Sequence, residues 1–531
     1  MESLALLLMA VTGHGDDRHD GAEAVRAGAF AELRCIDAES GRGIPLVELE
    51  TVHRVRFVTD NAGRVAIGEP DLLDREIALT VKSHGYAPPR DGFGFPIVRV
   101  TPRVGAPIEV KLQRVQLAER LCRLTGEGRW RDSVLLGHRK AADDVPALGR
   151  VAGQDSIQSI VHDGRWFCFW GDTLRLEHPL GLFRMAGATV DLARVQEPAF
   201  DLASGLPYDY FVDAKSGFAR ATIPIAERPD GVVWVNGFCD VADASGARRM
   251  VAWYSRRASL EKELEQGLCV WDDARAQFDP VRTLPPDEWR HPVGHPLEFE
   301  EAGRRWLLFG SPSCNLRVAA SYEALLDPAQ YEALSCEAVA ASGASQQGSG
   351  RPELDERGVA RWRWQKELPP VDSKREAEWV AKGLLPSEQA RFLPRHAALA
   401  TDAASSSEPS ERVQLHSGSV RWNEWRQRWV AIACQIGGKS SFLGEVWYAE
   451  ATHPCGPFAR AVRVATHDRM SLYNVCHHAL LDRDGGRTIH FEGTYTNDFS
   501  GNPDATPRYQ YNQLLFRLDL ARPELQACWA P

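Results

Sequence analysis

From Ala31 to Arg114 polar and apolar residues alternate in short runs, such as AELRCID, IALTVK and IEVKLQR, cut by turn signals at Ser40-Gly41 and Asn61-Ala62-Gly63. Period-two alternation bounded by Gly and Asn marks half-buried strands. No segment of helical period interrupts it, so the pattern predicts a small antiparallel sandwich over 31–114. Beyond Ser133 a different theme recurs: a polar or His-bearing start, an apolar strand, a Gly turn, and a second apolar strand rich in Trp or Phe. It reads GQDSIQSIVHDGRWFCFWGDT at 153, GFARATIPIAERPDGVVWVNGF at 217 and GHPLEFEEAGRRWLLFGSP at 294. It returns as HSGSVRWNEWRQRWVAIACQ at 416 and HHALLDRDGGRTIHFEGTYT at 477.

Each interval can hold a four-stranded antiparallel unit with its loops. The longest, between the third and fourth copies, carries an insertion at about 336–410 with a Gly/Ser-rich stretch and a segment of helical composition, SKREAEWVAKGLLPSEQARF. Repeated four-stranded sheets set radially make a β-propeller, which removes exposed edges by closing on itself. The expected fold is all-β, with a five-bladed β-propeller over 115–531. Closure would return the last strand, YNQLLFRLDL, beside the first blade.

In a propeller the first strand of every blade lines the central channel, so residues hundreds of positions apart converge. The strand starts then contribute Asp155 and Gln158, Arg220, His295, His416, and His477 or His478; the ends of second strands add Asp172 and Glu492. A hairpin brings its outer ends together, so Asp155 and Asp172 are expected at one funnel. Paired carboxylates whose pKa values are pushed apart supply the base and acid of glycoside hydrolysis. The bland alternative is that both cap turns by accepting backbone N–H bonds. Glu445, at the start of a third strand, is a weaker carboxylate candidate.

Two other chemistries fit the same residues. A polysaccharide lyase would use His295, His478 or Tyr473 as base and acid, with Arg220 neutralising a uronate carboxylate. A zinc site would draw on the run Thr466-His467-Asp468 and the segment Tyr473-Asn474-Val475-Cys476-His477-His478, with His291, His295 or Cys314 completing a set. Adjacent Cys476 and His477 on one strand point to opposite faces, which favours hydrogen-bonding histidines over ligands. A structural calcium or zinc ion stays open, as does a non-catalytic carbohydrate-binding propeller. Ser-nucleophile, P-loop and dinucleotide signatures are absent.

At 531 residues the chain exceeds one ordinary core. Its 62 basic and 72 acidic residues show no basic block, which argues against nucleic acid as a partner. The 16 Trp, among them Trp166, Trp170, Trp234, Trp306, Trp429 and Trp447, are core-fillers first and sugar-stacking faces second. The 11 Cys have scattered spacing and read as buried thiols rather than a disulfide framework. LALLLMAVT, at residues 4–12, is too short to span a bilayer. It suits the apolar part of a signal peptide although Glu2 stands where a basic residue belongs, so residues 1–30 are expected to be signal-like or disordered. The expected location is secreted or periplasmic, otherwise cytoplasmic.

Asp37-x-x-Ser40-Gly41-x-Gly43-Ile44-Pro45, then Thr59-Asp60-x-x-Gly63 and His84-Gly85-Tyr86, resemble the carboxypeptidase regulatory-like, or transthyretin-like, β-sandwich. The resemblance implies a spacer, folding aid or binding accessory without catalysis. GQD and WFCFWGDT in the first repeat, with NQLLFRLDL near the C-terminus, resemble a propeller group that includes the endo-D-arabinanase-type glycosidases; the plan is more distantly similar to the five-bladed arabinanase and invertase families. This implies a carbohydrate substrate, with Asp155 as base or nucleophile and an acid from elsewhere, Asp172 or Glu492. No arabinanase-type acid motif stands in the middle repeats.

Overall fold

A computed structural model describes residues 30–139, 149–182, 184–340, 348–397 and 412–529. The signal-like stretch lies outside the described residues. The structure is all-β, with short helices between strands.

Residues 31–114 form two four-stranded sheets. One orders Arg64–Ile67, Ala31–Asp37, Ile108–Arg114 and Tyr86–Ala87; the other orders Arg56–Val58, Glu48–Thr51, Ile77–Lys82 and Ile97–Val100. Leu33, Cys35, Leu49, Val65, Leu79 and Leu112 fill the space between them, as the alternation requires. One pairing departs from the antiparallel expectation: Ala31–Asp37 runs parallel to Ile108–Arg114. The chain builds the whole second sheet between those strands, and that excursion is the crossover a parallel pair needs.

Five larger sheets follow. The first is Gln158–His162, Arg165–Trp170, Ala186–Val190 and Asp209–Tyr210; the second is Val232–Ala242, Arg248–Arg257, Glu263–Asp272 and Gln277–Leu284. The third is Leu297–Glu301, Arg304–Phe309, Leu316–Ala319, Glu332–Ser335 and Arg363–Gln365. The fourth runs Leu415–Asn423, Arg428–Gln435, Glu445–Ala451, Arg460–Thr466 and Arg395–His396. The fifth is Ser471–His477, Thr488–Thr496, Asn512–Asp519 and Glu119–Arg123.

Hydrogen bonds on and beside the first two strands join neighbouring sheets in a cycle. Gln158 Nε2 donates to Asn236 Oδ1 (3.3 Å), Gly237 N to Gly294 O (3.2 Å), and Gly418 N to Ser311 Oγ (3.3 Å). Asn474 N donates to Ser417 Oγ (3.0 Å), and Ser156 N to Thr494 Oγ1 (3.0 Å), which returns the cycle to its start. The strand Arg165–Trp170 shows why the sequence selects this packing. Trp166, Cys168 and Trp170 pack with Cys476 and Leu515 of the fifth sheet, while Phe167 and Phe169 pack with Val233, Val235 and Tyr254 of the second. A sheet covered on both faces needs an unbroken apolar run, and each large side chain fully buried this way contributes about 1.5–3 kcal/mol.

The hairpin turn of the first sheet is Asp163-Gly164, with φ of 46° and 74°. Both residues are left-handed, as the tight turn matched to strand twist demands. Closure differs from the expectation in detail. The last strand, Asn512–Asp519, is the third of the fifth sheet, and its outer partner is Glu119–Arg123, from before the first repeat. Asn61 of the N-terminal sheets grips that strand, its Nδ2 donating to Arg123 O (3.0 Å) and its Oδ1 accepting from Arg123 N (2.9 Å).

Two repeats are out of register with their sequence reading. In the second, residues 217–231 are turns and bridges, and the inner strand begins only at Val232. In the fifth, HHALLD forms a 3-10 turn, Ala479–Leu481, and the inner strand is the preceding Ser471–His477. The insertion contains the helix Ser373–Ala381, which is capped by Asp372 and stops before Gly383-Leu384-Leu385-Pro386. No helix among the described residues is long and apolar enough to cross a membrane.

Candidate active site

The hairpin of the first sheet ends on two acids. Ser156, at φ 58°, turns the chain from Asp155 into the inner strand, and Gly171 leads out of Trp170 to Asp172. Gly171 N donates to Asp155 O (2.9 Å) and Asp155 N to Asp172 O (3.4 Å), so backbone bonds tie the two ends together. A Cβ at Gly171 would stand 2.4 Å from Asp155 Oδ1, so this carboxylate lies where only glycine leaves room.

Both acids line a cavity of about 890 Å³ to which all five sheets contribute. Tyr473, on the inner strand of the fifth sheet, donates its hydroxyl to Asp155 Oδ2 (2.8 Å). Burial pushes the Asp155 carboxyl above its ordinary value, opposed by the hydroxyls of Tyr473, Tyr511 and Ser156 that favour the ionised form. Burial, with Asp155 adding to it, also holds the Tyr473 phenol well above its usual range, so it remains a donor. Asp172 is pushed up to about 6, by burial first and by the charge of Asp155 second; the Trp234 indole, whose Nε1 donates to Asp172 Oδ1 (3.1 Å), works the other way. A carboxyl protonated to about pH 6 thus stands beside one held by phenolic donors. Burial raises both carboxyls, and the phenolic donors oppose it at Asp155 alone.

Of the remaining expected residues, Gln158, His295 and His416 line the cavity. Arg220 does not, because it precedes the inner strand of its sheet. Its guanidinium donates to the carbonyls of Arg275 (3.0 Å) and Ala276 (2.7 Å) and lies over Phe211. Asn236 takes the polar position expected of it.

Glu492 and His478 also lie outside the cavity wall. Glu492 pairs in register with Cys476, near the far end of Ser471–His477 from Tyr473, and is fully buried. There His478 Nε2 bonds Glu492 Oε1 (3.1 Å), and Cys476 Sγ lies 3.6 Å from His295 Nδ1 and 3.9 Å from His478 Nδ1. Burial pulls the His478 imidazole down, but Cys476 and Glu492 overcome it and raise it to about 10. His295 alone spans from this buried cluster to the cavity.

His477 faces the other way and bonds Asp482 (3.0 Å), as strand alternation requires, and His291 bonds Tyr254 O (3.0 Å), so neither joins Cys476, His295 and His478. Among the described residues, the side chains close enough to hold an ion are His84, His467 and Asp468, and His162, Asp163 and Asp273, none of which lines the cavity. Glu445 lies in a different groove, bonded by Arg463 (3.3 Å) and Ser440 (3.0 Å). All 11 cysteines are buried and free. Trp166, Trp170, Trp306 and Trp447 are core, and Trp234 alone of those singled out faces the cavity. Asp498, Asn236 and Tyr511 also line the cavity: NDFSGN and the break before NQLLF carry no periodic signal, and Asn236 lies on VVWVNGF, which the repeat pattern makes a second strand.

No protein-family model and no curated protein sequence matches the chain. Solved structures align with it at low similarity. An exo-β-1,3-galactanase from Phanerochaete chrysosporium aligns at TM-score 0.35 and 9% identity, over 76% of this chain and 65% of its own. An exo-1,5-α-L-arabinanase from a bovine ruminal metagenomic library aligns at 0.32 and 9%, over 70% and 95%. A protein of unknown function from Dyadobacter fermentans aligns at 0.36 and 8%, over 76% and 99%. These values are too low for a shared activity to follow from them. The chemistry is read from the chain's own residues.

Proposed function

We propose that this chain is a glycoside hydrolase acting on a polysaccharide or oligosaccharide, with its five sheets as the blades of a propeller and the cavity as its funnel. The carrying observation is the Asp155/Asp172 pair, fixed at the mouth of one hairpin in two different electrostatic settings. Asp172 gives its proton to the leaving oxygen. Asp155, whose ionised form the Tyr473 hydroxyl favours against the effect of burial, either takes the proton of an attacking water or attacks the anomeric carbon itself. A water ultimately replaces the aglycone, so the bond count balances without any other reactant. Gln158, Asn236, His295 and His416 orient sugar hydroxyls. A uronate lyase would need a cation beside the substrate carboxylate, and neither Arg220 nor any other Lys or Arg lines the cavity among the described residues.

Residues 31–114 are proposed to be a carboxypeptidase regulatory-like accessory that clamps the closing strand through Asn61. Export is proposed on residues 4–12 alone. The test is turnover of neutral and uronic-acid polysaccharides by the purified protein, following reducing ends and absorbance near 235 nm. Reducing ends without absorbance, lost in Asp155→Asn and Asp172→Asn, support hydrolysis. Absorbance rising with the reducing ends refutes it in favour of elimination by Tyr473 or His295.

A further inference from the structure

The loops joining second to third strands surround the cavity mouth, and three of them present large apolar tips. Leu260 of the second sheet is 66% exposed, Phe442 of the fourth 50%, and Phe499 of the fifth 52%, and all three line the cavity. Scattered exposed apolar residues need no explanation, but several at equivalent positions around one opening mark a binding surface.

Phe499 carries a second sign. Its φ is 62°, a conformation that bulky residues avoid and that is retained where function fixes the backbone. Ser156, Met185, Asn474 and Tyr511, also in the cavity wall, share that left-handed conformation. The Phe499 ring stands edge-on to Tyr473, with centroids 5.6 Å apart at 84°, and Tyr473 holds Asp155. The apolar rim is therefore continuous with the acid pair. On the inner wall Trp234 presents its indole while bonding Asp172, the group assigned to the leaving oxygen. The charged residues of the wall, His apart, are Asp155, Asp172 and Asp498, so an anionic group entering it meets repulsion and no countercharge.

We infer that Trp234 of the wall, with Leu260, Phe442 and Phe499 of the mouth, forms a leaving-group subsite, and that the substrate is an uncharged glycoside bearing an apolar aglycone. This rests on the hydrolase reading, in which Asp172, bonded by Trp234, protonates the leaving oxygen. Apolar surface leaving water on both partners drives the selection.

The experiment uses matched methyl and octyl glycosides of glucose, galactose, xylose and arabinose, whose leaving alcohols have similar acidity. Binding is measured by calorimetry to the full-length Asp155→Asn protein, and hydrolysis with the unsubstituted protein. The expected result, in at least one pair, is octyl binding tenfold or more tighter than methyl, with that ratio falling to near one in the L260A/F442A double variant. Both substitutions are at exposed loop tips, and a melting curve matching that of the parent confirms folding. Equal affinities within every pair, an unaltered ratio in the double variant, or no binding of any pair overturns the subsite. An octyl preference without hydrolysis by the unsubstituted protein refutes the catalytic reading instead and leaves the apolar subsite in place.

Discussion

Replacing Asp172 by Asn should stabilise the protein while abolishing its chemistry. The Asp172 carboxyl rises from 3.8 to about 6 on folding. Each unit is worth about 1.4 kcal/mol, so ionised Asp172 costs the folded state up to about 3 kcal/mol. The sign follows from linkage. Between these two values the folded chain binds more protons than the unfolded one, so stability falls as pH rises from about 4 to 6 and the loss is complete above that. Asparagine keeps an oxygen for the Trp234 indole and removes the charge. Asp172→Asn should therefore melt higher than the parent at pH 8 and together with it at pH 4. With about 2.1 cal/mol/K of unfolding entropy per residue, a cooperative body of some four hundred residues gains about 3.6 °C from 3 kcal/mol. Melting followed by tryptophan fluorescence at both pH values measures this. Because burial outranks Asp155 as the cause, more than half of the gain should persist in an Asp155→Asn background. A variant that melts lower at pH 8, or a gain as large at pH 4, would refute the electrostatic account of the site.

Further outcomes follow from the same geometry. With Asp172 as the acid, kcat should fall as pH rises through about 6, and the pH profile of hydrolysis reads this limb directly. Gly171→Ala puts a methyl 2.4 Å from Asp155 Oδ1 and should cut kcat/KM by about 100-fold with a native circular dichroism spectrum, a loss of the order that small misplacements of reacting groups bring. Tyr473→Phe removes the donor to Asp155, shifts the acidic limb of the pH profile upward, and lowers kcat/KM by about 10- to 100-fold, as loss of a hydrogen bond to a charged group implies. Deleting residues 512–531 removes the strand that joins Thr488–Thr496 to Glu119–Arg123 and should leave no cooperative melting transition.

Local patterning carried much of the design. Period-two alternation determined the N-terminal sheets. The run WFCFW determined a strand buried on both faces, and the His-Asp-Gly turn between two apolar runs determined that Asp155 and Asp172 share one end of a hairpin. These are short-range properties, because adjacent side chains alternate and tight turns need left-handed residues. Tertiary structure decided what depends on register and on partners distant in the chain. ARATIPIAERPDG reads like a strand, yet Val232–Ala242 has a neighbouring sheet on either side and takes the inner place, which turns Arg220 outward and brings in Asn236. The two histidines of HHALLD look like a strand start, but SLYNVCH pairs there instead, putting Tyr473 beside Asp155 and sinking His478 and Glu492 below the cavity. A shift of a few residues along a strand exchanges one end of the funnel for the other, and no local signal in the sequence records that choice.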